Sequence, residues 1–242
     1  MMRLEQMLGQ GSYVNQVKPS VLHRDYWALR AVRDELSRFF RLRKQQLNGA
    51  VFLDYGTPRP VYQPLADFAN VRLRAADISI RTGDIVRIND DGSIDAEAGS
   101  YDGIISTQVM EHVPDPQLYL REALRVMKPG GLFFCTTHGN WILHRIPTDF
   151  RRWTIDGIRY EFETAGFEVE SAHTAVGPLA QTTHLRAVLL GGMLRRVPVL
   201  GSLRYALYGI ANLKMAIEDR ITPKSARDLA PSLVIVVARK PV

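Results

Sequence analysis

A doubly wound α/β sheet with helices on both faces is the architecture this sequence predicts, and three stretches predict it. Tyr101 to Thr137 reads as a complete strand–helix–strand unit. Ala50 to Tyr55 (AVFLDY) and Ser232 to Ala238 (SLVIVVA) are short apolar runs of the kind buried on both faces of a sheet. Between them, strand-like and helix-like segments alternate, as a parallel sheet with helical crossovers requires.

Within the central unit, Ile104 and Ile105 are β-branched residues in an apolar run that follows Asp102. Ser106, Thr107, Gln108, Glu111 and His112 then crowd past the strand's carboxyl end, where open parallel sheets bind their ligands. Asp115 offers an N-cap oxygen, and Pro116 suits the first helical position because it has no N–H to lose. Leu120, Leu124 and Met127 recur at i, i+4 and i+7 as one buried face. Lys128-Pro129-Gly130-Gly131 is expected to end the helix, with Leu132 to Thr137 as the next strand.

These residues carry a resemblance. The string D-G-I-I-S-T-Q-V-M-E-H-V-x-D-P, followed by L-R-E-A-L-R-V-M-K-P-G-G, resembles the core of class I S-adenosylmethionine-dependent methyltransferases. It is similar in particular to a small bacterial branch associated with cell-surface polysaccharide and lipid-linked glycan synthesis. The resemblance spans roughly Ala50 to Phe167. It implies a Rossmann-like sheet of seven strands, mostly parallel. The last strand would enter antiparallel between strands five and six. It also implies S-adenosyl-L-methionine as cofactor and a small-molecule, sugar or lipid-linked glycan as methyl acceptor.

Carried over residue by residue, Asp54 and Gly56 fall where the family has its D-x-G-x-G cofactor loop. Glycines there let the backbone approach the ligand, and loop amides face its polar groups. Asp54 would orient the loop or a water beside the methionine moiety. The second glycine position is Pro58, which lacks an N–H. A non-catalytic binding or scaffold protein with a degraded cofactor loop is therefore the alternative. Pro60 and Tyr62 partly match a Pro-Tyr pair that often follows this loop. Val71 to Ala76 reads as strand two, ending at Asp77, the acidic residue expected on the adenosyl ribose. Asp84 to Ile88 reads as strand three. Asn89 or Asp90 then stands where such enzymes hold the adenine, or simply belongs to an N-D-D-G turn. Gln108 is expected to border the sulfonium.

On the acceptor side, His112 is a candidate to take a proton or position the acceptor, or else to pin its loop with Glu111. Downstream, His144-Arg145-Ile146-Pro147-Thr148-Asp149-Phe150-Arg151-Arg152-Trp153-Thr154 resembles the branch's h-x-x-P-x-D-(F/Y)-x-R-(W/Y)-T signature. His138, His144, Asp149 and Arg152 are its acceptor-side candidates, with an Asp149–Arg152 pair that merely shapes the loop as the other reading. The histidine positions match no zinc spacing, so no metal is expected.

The remaining segments bound the rest. Val21 to Leu47 reads as a helix with the stripe Leu22, Tyr26, Leu29, Leu36 and Phe40, closing an N-terminal helical element of residues 1–49 before a domain of residues 50–242. Pro64 to Ala69 reads as a short helix. Thr154 caps a helix through Ala165, and Phe167 to Ala172 begins strand six. Leu185 to Ile217 is a helical insertion divided at Pro198, rich in apolar residues and arginines. It could touch an anionic membrane surface, pack on the core, or form a homodimer contact. A net charge of +6 and pI near 9.6 permit an acidic partner, but the basic residues are scattered and a nucleic-acid methyltransferase is the lesser alternative. The single cysteine, Cys135, sits in an apolar strand, which excludes an internal disulfide and fits a cytoplasmic location. Neither a signal peptide nor an apolar run of roughly 18 residues is visible.

Overall fold

Seven strands hydrogen-bond in the order β3-β2-β1-β4-β5-β7-β6. They are β1 (Val51–Tyr55), β2 (Arg72–Asp77), β3 (Val86–Arg87), β4 (Tyr101–Thr107), β5 (Met127–His138), β6 (Glu168–Thr174) and β7 (Leu233–Arg239). The computed structural model describes residues 16–78, 85–143, 145, 148–197 and 200–242. Strands β1 to β5 pair in parallel, and β7 runs antiparallel to both β5 and β6. The sheet therefore has the expected strand count, direction and final insertion. The order reverses between β1 and β4, which opens a crevice beyond their carboxyl ends.

Alternating side chains load the two faces with separate cores. Leu53, Tyr55, Ile104, Phe133, Val234 and Val236 face helices α2 (Pro116–Val126) and α3 (Ile155–Thr164). Phe52, Ile105, Phe134 and Ile235 face helix α1 (Tyr26–Leu42). There, Phe39 and Phe40 meet Phe134 and Phe52 at ring-centroid distances of 5.2 and 6.2 Å. Helix α1 is thus packed on the sheet. Its buried stripe is Ala28, Val32, Leu36, Phe39 and Phe40, turned from the expected one. Of the predicted stripe only Leu36 and Phe40 are buried, because helix α1 starts at Tyr26 and Leu22 lies outside it, 47% exposed.

Local signals hold at the caps. Asp115 Oδ1 accepts from Leu118 N at 3.0 Å, and Thr154 Oγ1 accepts from Gly157 N at 3.0 Å. Lys128 to Gly131, expected as a turn, is drawn into the start of β5. Gly130 N donates to Lys240 O and Lys240 N to Gly131 O, so the chain's end extends the ladder across the glycines. Strand three shrinks to two residues, and its expected first residue, Asp84, lies outside the described residues. The late insertion is longer than expected. Helices α4 (Pro178–Leu194) and α5 (Leu203–Ile221) form a hairpin, with Pro178 at the helix start; Pro198 lies outside the described residues. The hairpin is anchored through Val176, Ala180 and Met215, against which Trp27 and Ala31 of α1 pack.

Candidate active site at the carboxyl ends of the strands

The tips of β1, β2, β4 and β5 bring Asp54, Asp77, Gln108 and His138 to the same end of the sheet. Asp54 is 1% exposed, and its Oδ2 has no hydrogen-bond partner among the described residues. Desolvation pushes its carboxyl well above the ordinary range. Burial likewise raises the Tyr62 phenol, with the Asp54 charge adding to it and a hydrogen bond to Thr107 opposing it. Tyr55 stacks flat on Tyr119 at 4.1 Å, and Tyr119 OH meets Ser106 Oγ at 2.8 Å. Stacked aromatic rings and a buried carboxyl with one oxygen unpartnered among the described residues therefore lie together at this end of the sheet.

The loop after β1 departs from its expected form. Gly56 has φ +96°, and a Cβ there would stand 2.6 Å from Val109 Cγ1. Both Gly56 N and Thr57 N donate to Ala76 O, at 2.8 and 2.9 Å. These amides were expected to face a ligand, and instead they tie the loop to β2. Pro58 follows with no N–H to offer, and the next helical turn begins only at Gln63.

Gln108 sits in the left-handed region (φ 58°), an uncommon conformation for a residue with a side chain. Its backbone N donates to Thr136 O and its Nε2 to Thr136 Oγ1, both at 2.8 Å, while Oε1 is buried without a partner among the described residues. Asn89 is taken up by its own turn: its N bonds Ser93 O and its Nδ2 bonds Ser93 Oγ at 3.0 Å. Asp90 is in the same turn. Asp77, at the tip of β2, is half-buried.

The loop of residues 148–152, expected on the acceptor side, is laced to the loop after β4. His112 Nδ1 donates to Thr148 O at 2.6 Å, Phe150 N donates to Glu111 O, and Arg151 donates to Val113 O and Pro114 O. Arg152 pairs with the buried Asp149 and also donates to Trp141 O, Ile142 O and Arg151 O. That set of contacts makes Arg152 a clamp on its own loop. His144 lies outside the described residues.

His138 is different. It is 6% exposed, and its Nδ1 is 2.9 Å from Oε1 of the fully buried Glu111, at ion-pair distance though not in line for a straight hydrogen bond. Thr137 Oγ1 donates to the other carboxylate oxygen at 2.8 Å. Burial pushes the Glu111 carboxyl up, but His138, the backbone and Thr137 outweigh it and hold it below its ordinary value. A carboxylate only accepts, so a hydrogen bond across this contact would place an imidazole proton on Nδ1. The imidazole also stacks on Trp141 at 4.7 Å and 7°. Trp141 in turn stacks at 4.5 Å on His184, whose Nε2 is 3.1 Å from Asp25 Oδ1. Sequence reasoning missed Glu111 as the histidine's partner, and it missed Trp141, His184 and Asp25. Glu111 had a signal, its place beside the strand tip; Asp25 and His184, 159 residues apart, had none.

A second cavity of about 400 Å³ lies at the opposite end of the sheet, between Asn48–Gly49 and Lys128–Gly131. It is on the amino side of the parallel strands, where open sheets do not hold their ligands. Among the described residues no group of three or more metal-ligating side chains is found.

Strand order, switch-point crevice and tip carboxylates together define the Rossmann-like methyltransferase class of fold. The methyltransferase-domain family matches residues 23–172, and the chain belongs to that family, whose cofactor is S-adenosylmethionine. Among curated relatives, the ubiquinone biosynthesis O-methyltransferase of Pectobacterium atrosepticum is 34% identical over 83 residues, 33% of this chain and 34% of that protein. The match thus spans about a third of the relative's length. Among solved structures, the [4+2]-cyclase SpnF superposes with a TM-score of 0.55 at 19% identity, over 87% of this chain and 81% of that one. The 1,6-didemethyltoxoflavin-N1-methyltransferase of Burkholderia thailandensis, with S-adenosylhomocysteine bound, gives 0.52 at 13% identity, over 88% and 79%. At these identities the structures share the fold alone; a cyclase on the same frame shows that the fold does not choose the chemistry.

The residues present fit the cofactor. Asp54 Oδ2 and Gln108 Oε1 are buried acceptors without protein donors among the described residues, on adjacent strands at the switch point. A ligand bearing an ammonium and hydroxyls would satisfy such atoms, which are costly to leave bare.

Proposed function

We propose that this chain transfers the methyl group of S-adenosylmethionine to a hydroxyl of a small-molecule, sugar or lipid-linked glycan acceptor, with His138 as the base. The observation that carries this reading is the buried Glu111–His138 pair at the tip of β5. The bound cofactor supplies an electrophilic methyl on a positively charged sulfur. Asp54, Gln108 and Asp77 would hold its amino acid and ribose ends. His138 Nε2 would accept the proton of the acceptor hydroxyl. Glu111 would steady the imidazolium that forms. Trp141, flat against His138, would fix the ring's orientation. The name of the curated relatives, O-methyltransferase, supports oxygen as the accepting atom.

His138→Ala is expected to lower turnover by about 10²–10⁴-fold while leaving S-adenosylhomocysteine binding by calorimetry intact. Unchanged turnover would remove His138 from the role. A second reading, a non-catalytic family member, is favoured by the Gly56 and Thr57 amides being bonded to Ala76 O and by Pro58. Absence of heat with millimolar S-adenosylhomocysteine would select it.

A further inference from the structure

Helix α5 carries an apolar stripe on the side away from the protein. Tyr208, Ala211, Asn212 and Met215 are buried. On the opposite side Leu203, Ile210, Leu213, Ile217 and Ile221 are 52%, 70%, 68%, 56% and 64% exposed. Their spacing of seven, three, four and four residues keeps them on one face. Such a stripe normally faces a core; here no described residue covers it. Leu189, Leu190 and Met193 extend it at the end of α4, at 62%, 50% and 64% exposure. The hairpin's inner face is tied to the rest of the chain by Asn212 Nδ2, which donates to Val21 O and His23 O, and by His184 beside Asp25. Ala187, Tyr208 and Ala211 pack its two helices together.

The charges select the occupant. Residues 178–221 contain six basic side chains (Arg186, Arg195, Arg196, Arg204, Lys214, Arg220) and two acidic ones, a net +4 of the chain's +6. Both acids have partners inside the hairpin's base: Asp219 Oδ1 accepts from Gly177 N and Arg227, and Glu218 accepts from Lys214. Apolar side chains fringed by arginines are the composition of a helix lying in an anionic membrane interface. A second copy of the chain would bring +4 against +4. No helix among the described residues is long and apolar enough to cross a membrane, so a contact in the membrane plane is the form available.

We propose that the α4–α5 hairpin docks on anionic lipid bilayers, with the outer stripe of α5 entering the interface and Arg195, Arg196 and Arg204 meeting lipid phosphates. This does not rest on the methyl-transfer reading. The test is flotation of the full chain with phosphatidylcholine vesicles, with and without phosphatidylglycerol. The chain is expected to float with the anionic vesicles only. Ile210→Ser with Ile217→Ser should abolish flotation while circular dichroism and S-adenosylhomocysteine binding stay unchanged. Arg195→Ala with Arg196→Ala should weaken vesicle binding by roughly 30-fold. Failure of the wild-type chain to float with anionic vesicles would overturn the proposal, as would flotation indifferent to both variants. A dimer in sedimentation that the isoleucine variant dissolves, without flotation, would assign the stripe to a second copy instead.

Discussion

At the scale of single residues, two positions have consequences beyond their immediate contacts. Gly56 is required twice over, by its φ of +96° and by the 2.6 Å approach that a Cβ would make to Val109. Gly56→Ala is expected to lower stability by more than about 1 kcal/mol, read as a drop in denaturation midpoint. Adding Val109→Ala should recover only part of it, because the smaller neighbour relieves the clash and not the dihedral. Asp25 makes a different kind of prediction. Burial pushes its carboxyl up, yet the His184 hydrogen bond and the charge of Arg24 override this and lower it to about 2, from 3.8. A depressed acid contributes stability above its unfolded value and loses it as pH falls through the folded one. Asp25→Asn should therefore cost about 2 kcal/mol near neutrality, and the two unfolding curves should converge between about pH 4 and pH 2.

At the scale of elements, α1 is the test of how the molecule divides. Phe39 and Phe40 are 3% and 0% exposed and pack on Phe52 and Phe134 of the sheet. Phe40→Ala should cost about 3–5 kcal/mol and unfold helix and sheet in one transition. A separate early transition for the helix would show that the segment before β1 is an appendage. The acceptor-side loop is an element of another sort. His112, Asp149, Arg151 and Arg152 bind it to itself and to the loop after β4, so it is a preformed roof. Its candidate residues position backbone, and His138, on the neighbouring strand, is bound instead to Glu111 and Trp141.

Across the whole molecule, the stacked tyrosines, the buried Asp54 and the inward Gln108 leave two buried oxygens at the strand tips without partners among the described residues. S-adenosylhomocysteine at a hundredfold excess over its Kd should add about 2.7 kcal/mol. That corresponds to a rise in Tm of roughly 5–10 °C. A flat melting curve across the titration would argue for the non-catalytic reading. The +4 hairpin reaches this site through His184 on Trp141, and its outer face makes a separate surface contribution to a chain of net charge +6.

Local signals in the chain settled the sheet and most of its punctuation. Asp115 and Thr154 cap because a carboxylate or hydroxyl beside the first helical amides is a contact within three residues, and apolar runs mark strands wherever they fold. The same locality placed Asp54, Asp77 and Gln108 at strand tips. Sequence could not show that Glu111 turns inward to His138, that Trp141 is sandwiched between two histidines, or that Arg152 is absorbed by its own loop. Nor could it show which side of α5 remains bare. Those facts depend on which strands lie side by side and how deeply each charge is buried. Sheet order and desolvation arise only when distant segments pack, so tertiary structure alone decided them.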